Sequence, residues 1–311
     1  MIRVKVPATS ANLGVGFDCM GLALDWQGVF TFCLDGPEFM ISGCPKAYQN
    51  KDNLVYHAFA RTLMALGKRV PVVQIHIDTP IPVARGLGSS ASCIVAGVLG
   101  AVAYSGQKLP LQELLRLATL LEHHPDNVAP ALLGGLRGSM AVDGRVLCAE
   151  YPVHPGFGFC ALMPYTAQFA VHEKFRFVTI IPDYEVRTED ARRILPSDMS
   201  YADAIYQMGR CATLGKALES GDEEMVRHAC IDRMQEPYRS RLIPEYDEVK
   251  RLCMDLGALA FVISGSGSTM LAVCTADTGG KLCRQLSERF RSWQVLELKA
   301  AAEGGAFEIH E

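Results

Sequence analysis

A chain of 311 residues is longer than one hydrophobic core usually supports, so two globular units are expected. With 49% hydrophobic and 21% charged residues, the composition suits packed cores and excludes a disordered tail. A net charge of −4 lacks the basic excess of a nucleic-acid binder and is too small to imply a polycationic partner, which leaves small molecules as the expected ligands. The eleven cysteines, odd in number and without Cys-x-x-Cys pairs, read as reduced thiols of a cytoplasmic protein and not as a disulfide framework or zinc site.

In chain order, Ile2, Val4 and Val6 alternate with Arg3 and Lys5 from the first residues, so no signal peptide is expected. This half-buried strand delivers a polar, glycine-bearing loop from Ala8 to Gly16. Val73, Ile75 and Ile77 predict a second strand, leading into Pro82-Val-Ala-Arg85-Gly86-Leu87-Gly88-Ser89-Ser90-Ala91 and then a buried helix from about Ser89 to Tyr104. The uncharged run from Gly86 to Gln107 is broken by serines and glycines, and its apolar part is too short for a membrane span. Leu111, Leu114, Leu115, Ala118 and Leu121 predict an amphipathic helix ending near Glu122, and another helix begins near Asn127. A low-periodicity stretch places the boundary between units 1–155 and 156–311. The second unit reads as a strand over Phe175–Ile181, helices from Thr188 to about Leu256, strands Ala260–Ile263 and Thr269–Cys274, a helix Lys281–Phe290 and a strand Trp293–Lys299. That order, βαββαβ with an enlarged first crossover, is that of a ferredoxin-like sandwich.

Gly86-Leu87-Gly88-Ser89-Ser90-Ala91 carries the most chemistry. Glycines let backbone N–H groups approach an anion, and the helix that follows presents unpaired donors and a positive dipole end. Taken alone, the same residues make an ordinary turn and N-cap. Gly67-Lys68, Gly215-Lys216 and Gly280-Lys281 lack the rest of a Walker A loop. No acidic residue between Asp78 and Glu113 stands where a dinucleotide-binding unit needs one, and no Gly-x-Ser-x-Gly elbow occurs.

Pro82 to Ala91 resembles the central phosphate-binding motif of the GHMP kinases. Pro7-Ala-Thr-Ser-Ala-Asn12-Leu-Gly14-Val-Gly16-Phe-Asp18 resembles their first motif, and Ser264-Gly265-Ser266-Gly267-Ser268 their third, in the expected order along nearly the whole chain. Within that superfamily Asn12, Gly16-Phe17-Asp18, His124-Pro125-Asp126-Asn127, Thr188 to Arg192 and Pro237-Tyr238-Arg239 resemble the homoserine kinase family. The resemblance implies an α+β, two-domain fold, an N-terminal α/β unit with the glycine-rich loop followed by the ferredoxin-like unit. It further implies phosphoryl transfer from ATP with Mg²⁺ to the hydroxyl of L-homoserine, in a homodimer.

By the same resemblance Asn12 and Asp18 are the expected catalytic residues, and with His124, Thr188, Arg192 and Arg239 they form the acceptor site. Two arginines suit a carboxylate, and an acid and an amide suit an ammonium and the reacting hydroxyl. Asn53, Pro82, Arg85, Gly86, Leu87, Gly88, Ser89, Ser90 and Ala91 are the expected nucleotide contacts, and Ser90 and Glu122 the magnesium ligands. Without the family, Thr188 reads equally as a helix N-cap, Glu122 as a helix-end carboxylate, and Asn12, Asp18 and Asn53 as loop and turn formers. Two departures stand out: His123 where the family often has glycine, and Ser268 where it often has proline. A kinase for mevalonate or shikimate, or a non-catalytic sensor on the same fold, stays open at this point.

Overall fold

The computed structural model describes residues 1–142, 145–149 and 167–310, so the unit boundary expected at 155–156 lies outside the described residues. The chain opens with β1 (Ile2–Asn12) and β2 (Gly16–Cys33), an antiparallel pair whose register shifts between Pro7 and Ala8 and again between Ala11 and Asn12. The loop expected from Ala8 to Gly16 is therefore strand as far as Asn12. Ladder pairing to Gly21–Leu24 satisfies that backbone although Thr9 and Ser10, both buried, interrupt the apolar alternation.

β3 (Met40–Ser42), α1 (Leu54–Ala65) and β4 (Gln74–Asp78) follow, then α2 (Ser89–Ser105), α3 (Leu111–Glu122) and α4 (Pro125–Leu133). Proline at the first helical position starts α4 two residues before the expected Asn127, since its missing N–H has no intrahelical use there. β5 (Leu136–Val142), β6 (Arg145–Ala149) and β7 (Ala167–Phe169) complete the first half. The second contains β8 (Phe175–Ile181), α5 (Thr188–Arg193), α6 (Tyr201–Ser220), α7 (Glu223–Ala229), α8 (Glu236–Arg239), α9 (Tyr246–Asp255), β9 (Ala260–Ile263), β10 (Met270–Thr275), α10 (Ala276–Arg289), β11 (Gln294–Leu298) and β12 (Ala306–Ile309).

The first sheet runs β12-β1-β2-β4-β3, with β5 branching from β2 and pairing β6 and β7. The second runs β11-β8-β10-β9, all antiparallel, which is the strand order of a ferredoxin-like sandwich with α5 to α9 filling the first crossover. Residues 306–309, for which the sequence predicts no strand, form β12, which pairs antiparallel with β1 and extends the first sheet.

Three apolar clusters hold these layers. One face of the first sheet packs on α1 to α4 through Val4, Phe30, Phe32, Phe59 and Val95. A second cluster joins Leu22 and Leu24 of β2 to Phe175, Phe177 and Leu271 of the second sheet, so the two halves share a core. The far face of the second sheet buries Val178, Ile180 and Ala272 against Val249, Leu282 and Leu286. Among the described residues no helix is long and apolar enough to cross a membrane.

Candidate active site

The three glycine-bearing loops meet. Thr9 N donates to Leu87 O at 3.2 Å, Gly265 N to Ala11 O at 3.1 Å, and Thr269 N to Arg85 O at 3.2 Å. The buried Ser264 hydroxyl lies 2.8 Å from Ser10 Oγ and 2.7 Å from Gly86 O. Two glycines are needed for this closeness: a Cβ on Gly86 would come 2.1 Å from Ser264 O, and one on Gly88 1.9 Å from Thr9 Oγ1, with both residues at positive φ. Loops some 80 and 180 residues apart in sequence are thereby fixed around one cleft of about 360 Å³.

α2 starts at the floor of this cleft. Gly88 is its N-cap and no side chain caps it, which leaves first-turn N–H groups available to an anion, as the sequence implied. In that same first turn Ser90 Oγ donates to Glu122 Oε2 at 2.7 Å, joining the start of α2 to the end of α3. Burial pushes the Glu122 carboxyl up, the Ser90 hydrogen bond and the nearby His124 and His123 opposing it. A hydroxyl and a desolvated carboxylate side by side are hard oxygen donors whose charge a divalent cation would relieve, so these residues fit magnesium. No group of three or more His, Cys, Asp or Glu among the described residues could hold a metal, so such an ion would complete its shell with phosphate oxygens and water.

The cleft also draws residues from both halves of the chain. Arg192 of α5 grips Asp18 bidentately, Nη1 to Oδ2 and Nη2 to Oδ1 at 2.9 Å each, and this pairing raises the arginine further. Arg239 is 3% exposed. Its Nε donates to Ala191 O at 3.1 Å and its Nη1 to Gln235 Oε1 at 2.6 Å and Gly265 O at 3.0 Å, but it makes no ion pair among the described residues. Burial first, and the neighbouring Arg192 second, pull it down to about 10. Phe17 lies under both guanidinium groups, 4.9 Å from Arg239 and 5.8 Å from Arg192. Thr188 Oγ1 lies 3.3 Å from Ser266 Oγ, tying α5 to the third loop.

Asn12 is turned inward. Its Nδ2 donates to Gly265 O at 2.9 Å and makes a long contact of 3.5 Å with Gln235 Oε1, while its Oδ1 accepts from Asp18 N at 3.0 Å. With its amide donors directed at protein acceptors, Asn12 holds Asp18 in place. Asn12, Asp18, Ala84 and His123 all line the cleft and all have left-handed backbone, at φ 71°, 56°, 53° and 77°. Among the described non-glycine residues only Leu13, next to Asn12, shares that conformation. Such strain gathers where side chains must be aimed against local preference.

His124 is held by Asp126, Nδ1 to Oδ1 at 2.6 Å, and that buried carboxylate raises the imidazole and favours its charged form. The structure thus brings Asn12, Asp18, Arg85, Gly86, Gly88, Ser89, Ser90, Glu122, His124, Thr188, Arg192 and Arg239 to one cleft. Others stand elsewhere. Asn53 caps α1, accepting from Val55 N at 2.9 Å and donating to Tyr48 O at 2.8 Å, while Leu87 and Ala91 are buried in the apolar clusters and Pro82 is outside the cleft wall. Arg85 turns its guanidinium to Pro182 O, Asp183 O and Glu185. Sequence reasoning missed Gln235, although its place four residues before Arg239 puts both on one helical face.

Residues 53–135 match the GHMP kinases N terminal domain and residues 211–292 the GHMP kinases C terminal domain. A homoserine kinase of Clostridium botulinum (strain 657 / Type Ba4) is 37% identical over 303 residues, 96% of either chain. Another, from strain Eklund 17B / Type B, is 36% identical over 308 residues, 98% of this chain and 97% of its own. The crystal structure of homoserine kinase from Cytophaga hutchinsonii superposes with a TM-score of 0.81 at 29% identity, covering 99% of this chain and 97% of that one. With both domain models matched and homoserine kinases 36–37% identical over at least 96% of either chain, one conclusion follows: the chain belongs to the homoserine kinase family of the GHMP kinases.

Proposed function

We propose that the chain transfers the γ-phosphoryl group of ATP to the side-chain hydroxyl of L-homoserine, giving O-phospho-L-homoserine. The observation that carries this is Arg239, a nearly buried guanidinium on the cleft wall that makes no ion pair among the described residues, with Asp18, Asp126 and Asp232 acting on it only at longer range. A buried cation held ready in this way costs several kcal/mol of desolvation unless an anion joins it, and the homoserine carboxylate is that anion. Asp18, 36% exposed at the same end, offers the negative charge for the ammonium group. Arg192 is shared between Asp18 and the incoming carboxylate. A mevalonate or shikimate acceptor would use the arginines but brings no ammonium group to Asp18.

The open N–H groups at the start of α2 bind phosphate oxygens. Magnesium, when held by Ser90 and Glu122, supplies neutralisation of charge on the phosphates. What remains for the protein is alignment, because a loose phosphoryl-transfer transition state asks for little proton removal before the phosphoryl group moves. Both Asp18 oxygens are engaged by Arg192, and its backbone is pinned by Asn12, so Asp18 orients the hydroxyl more than it abstracts its proton. His124, fixed by Asp126, lines the same cleft and offers the acceptor a further polar contact.

The test is ADP release with magnesium-ATP in the presence of L-homoserine, mevalonate, shikimate or L-threonine, with the product identified by phosphorus NMR. Homoserine alone should give strong turnover. ADP formation with mevalonate or shikimate in its place would sink this reading.

A further inference from the structure

Gln235 has no exposed surface and stands where the two ends of the acceptor site meet. Its Oε1 receives Arg239 Nη1 at 2.6 Å and the longer contact from Asn12 Nδ2 at 3.5 Å, while its Nε2 donates to Gly14 O at 3.0 Å. Its backbone N–H and that of Glu236 both go to Asp232 Oδ2, at 2.8 and 2.7 Å, which sets the start of α8 and hence the side-chain direction. One carbonyl oxygen therefore faces the guanidinium that awaits a carboxylate and the amide that pins Asp18. Asp18 N, Asn12, Gln235 and Arg239 are linked in one polar chain, its longest step the 3.5 Å contact between Asn12 and Gln235, which joins residues 223 positions apart in sequence.

We propose that Gln235 is a positioning residue that couples the carboxylate-binding arginine to the loop that aims Asp18. The inference rests on the homoserine reading above and adds a residue to it. The neutral amide matters as much as the bonds. An acid at this place would give Arg239 an internal counter-ion, and an apolar residue would leave Nη1 and Asn12 Nδ2 each short of an acceptor in a buried setting.

Two variants separate these effects. Gln235→Leu removes all three contacts at similar volume, and the homoserine KM should rise and kcat fall, lowering kcat/KM for homoserine by at least about thirtyfold with the ATP KM within about twofold. Gln235→Glu keeps the acceptor oxygen for Arg239 but replaces the Nε2 donor to Gly14 O by a second acceptor, so kcat should stay within about tenfold of the parent, while the homoserine KM rises at least about tenfold because Arg239 is now neutralised from within. A merely structural glutamine would lower the melting temperature and the yield of active enzyme without splitting the two KM values, since KM does not depend on how much enzyme is folded. Should Gln235→Leu fail to fold, Gln235→Glu carries the test by itself. Unchanged homoserine KM in the folded variants, or equal shifts for homoserine and ATP, would overturn the proposal while parental turnover of homoserine keeps the functional reading intact. No homoserine turnover by the parent chain would overturn both.

Discussion

His123 illustrates how much one residue can say. It ends α3 as a C-cap at φ 77°, a left-handed position that glycine fills without strain and that an imidazole fills at a cost of about 1 kcal/mol. The family resemblance places glycine there, and the structure gives the reason: the chain must reverse sharply between Glu122 and His124 to present both to the cleft. His123→Gly should therefore raise stability by about 0.5–1 kcal/mol, part of the relief being offset by the extra freedom of the unfolded glycine. Calorimetric unfolding of the two chains decides it, and a lower melting temperature for the glycine variant would show that His123 contributes contacts stronger than the strain it bears.

At the level of elements, α8 is only four residues long and has little helical stability of its own, so its position depends on what fastens it. Glu236 does this from a buried place, accepting from Ile263 N of β9 at 2.6 Å and from Tyr246 Oη of α9 at 3.2 Å. Burial, with the nearby Asp232 next, pushes its carboxyl up to about 8. The folded state thus binds this proton more tightly than the unfolded chain. The stability it contributes is complete below the ordinary glutamate range and is lost as pH rises through about 8. Glu236→Gln keeps an acceptor for Ile263 N and can donate to the tyrosine oxygen without ever ionising. Its melting temperature should match the parent near pH 5 and exceed it at pH 9, by about 1–3 kcal/mol of stability. Equal pH slopes for both proteins would contradict this account.

The whole molecule is joined more closely than two beads on a string. The core between β2 and the second sheet is common to both halves, and β12 crosses back to cover the outer edge of β1 over Ile2–Lys5. An uncovered edge strand is a template for pairing with another chain. A chain ending at Gly305 should therefore melt a few °C lower, about 1–2 kcal/mol, and self-associate in concentration-dependent sedimentation. Unchanged melting and sedimentation would mean that β12, whose side chains are exposed, contributes nothing beyond its own ladder.

The sequence by itself determined the glycine-rich loop and the helix after it, α3 with its end near Glu122, and the element order of the ferredoxin-like half, because each rests on local periodicity and turn chemistry. The residues expected in the site came from the family resemblance and not from local pattern, and of these Asn12, Asp18, Ser90, Glu122, Arg192 and Arg239 line one cleft. β2 and β12 were not legible in it: β2 is buried on both faces over Met20–Leu24 and so shows no alternation, and β12 is exposed on both. Only the tertiary structure decided that Arg239 is buried and makes no ion pair among the described residues, that Asn12 faces Gln235 instead of solvent, and that Asn53 and Arg85 are committed to other partners. Those facts depend on contacts between residues such as Asn12 and Gly265, 253 positions apart, and burial and hydrogen-bond partners across such distances are set by packing that no local pattern encodes.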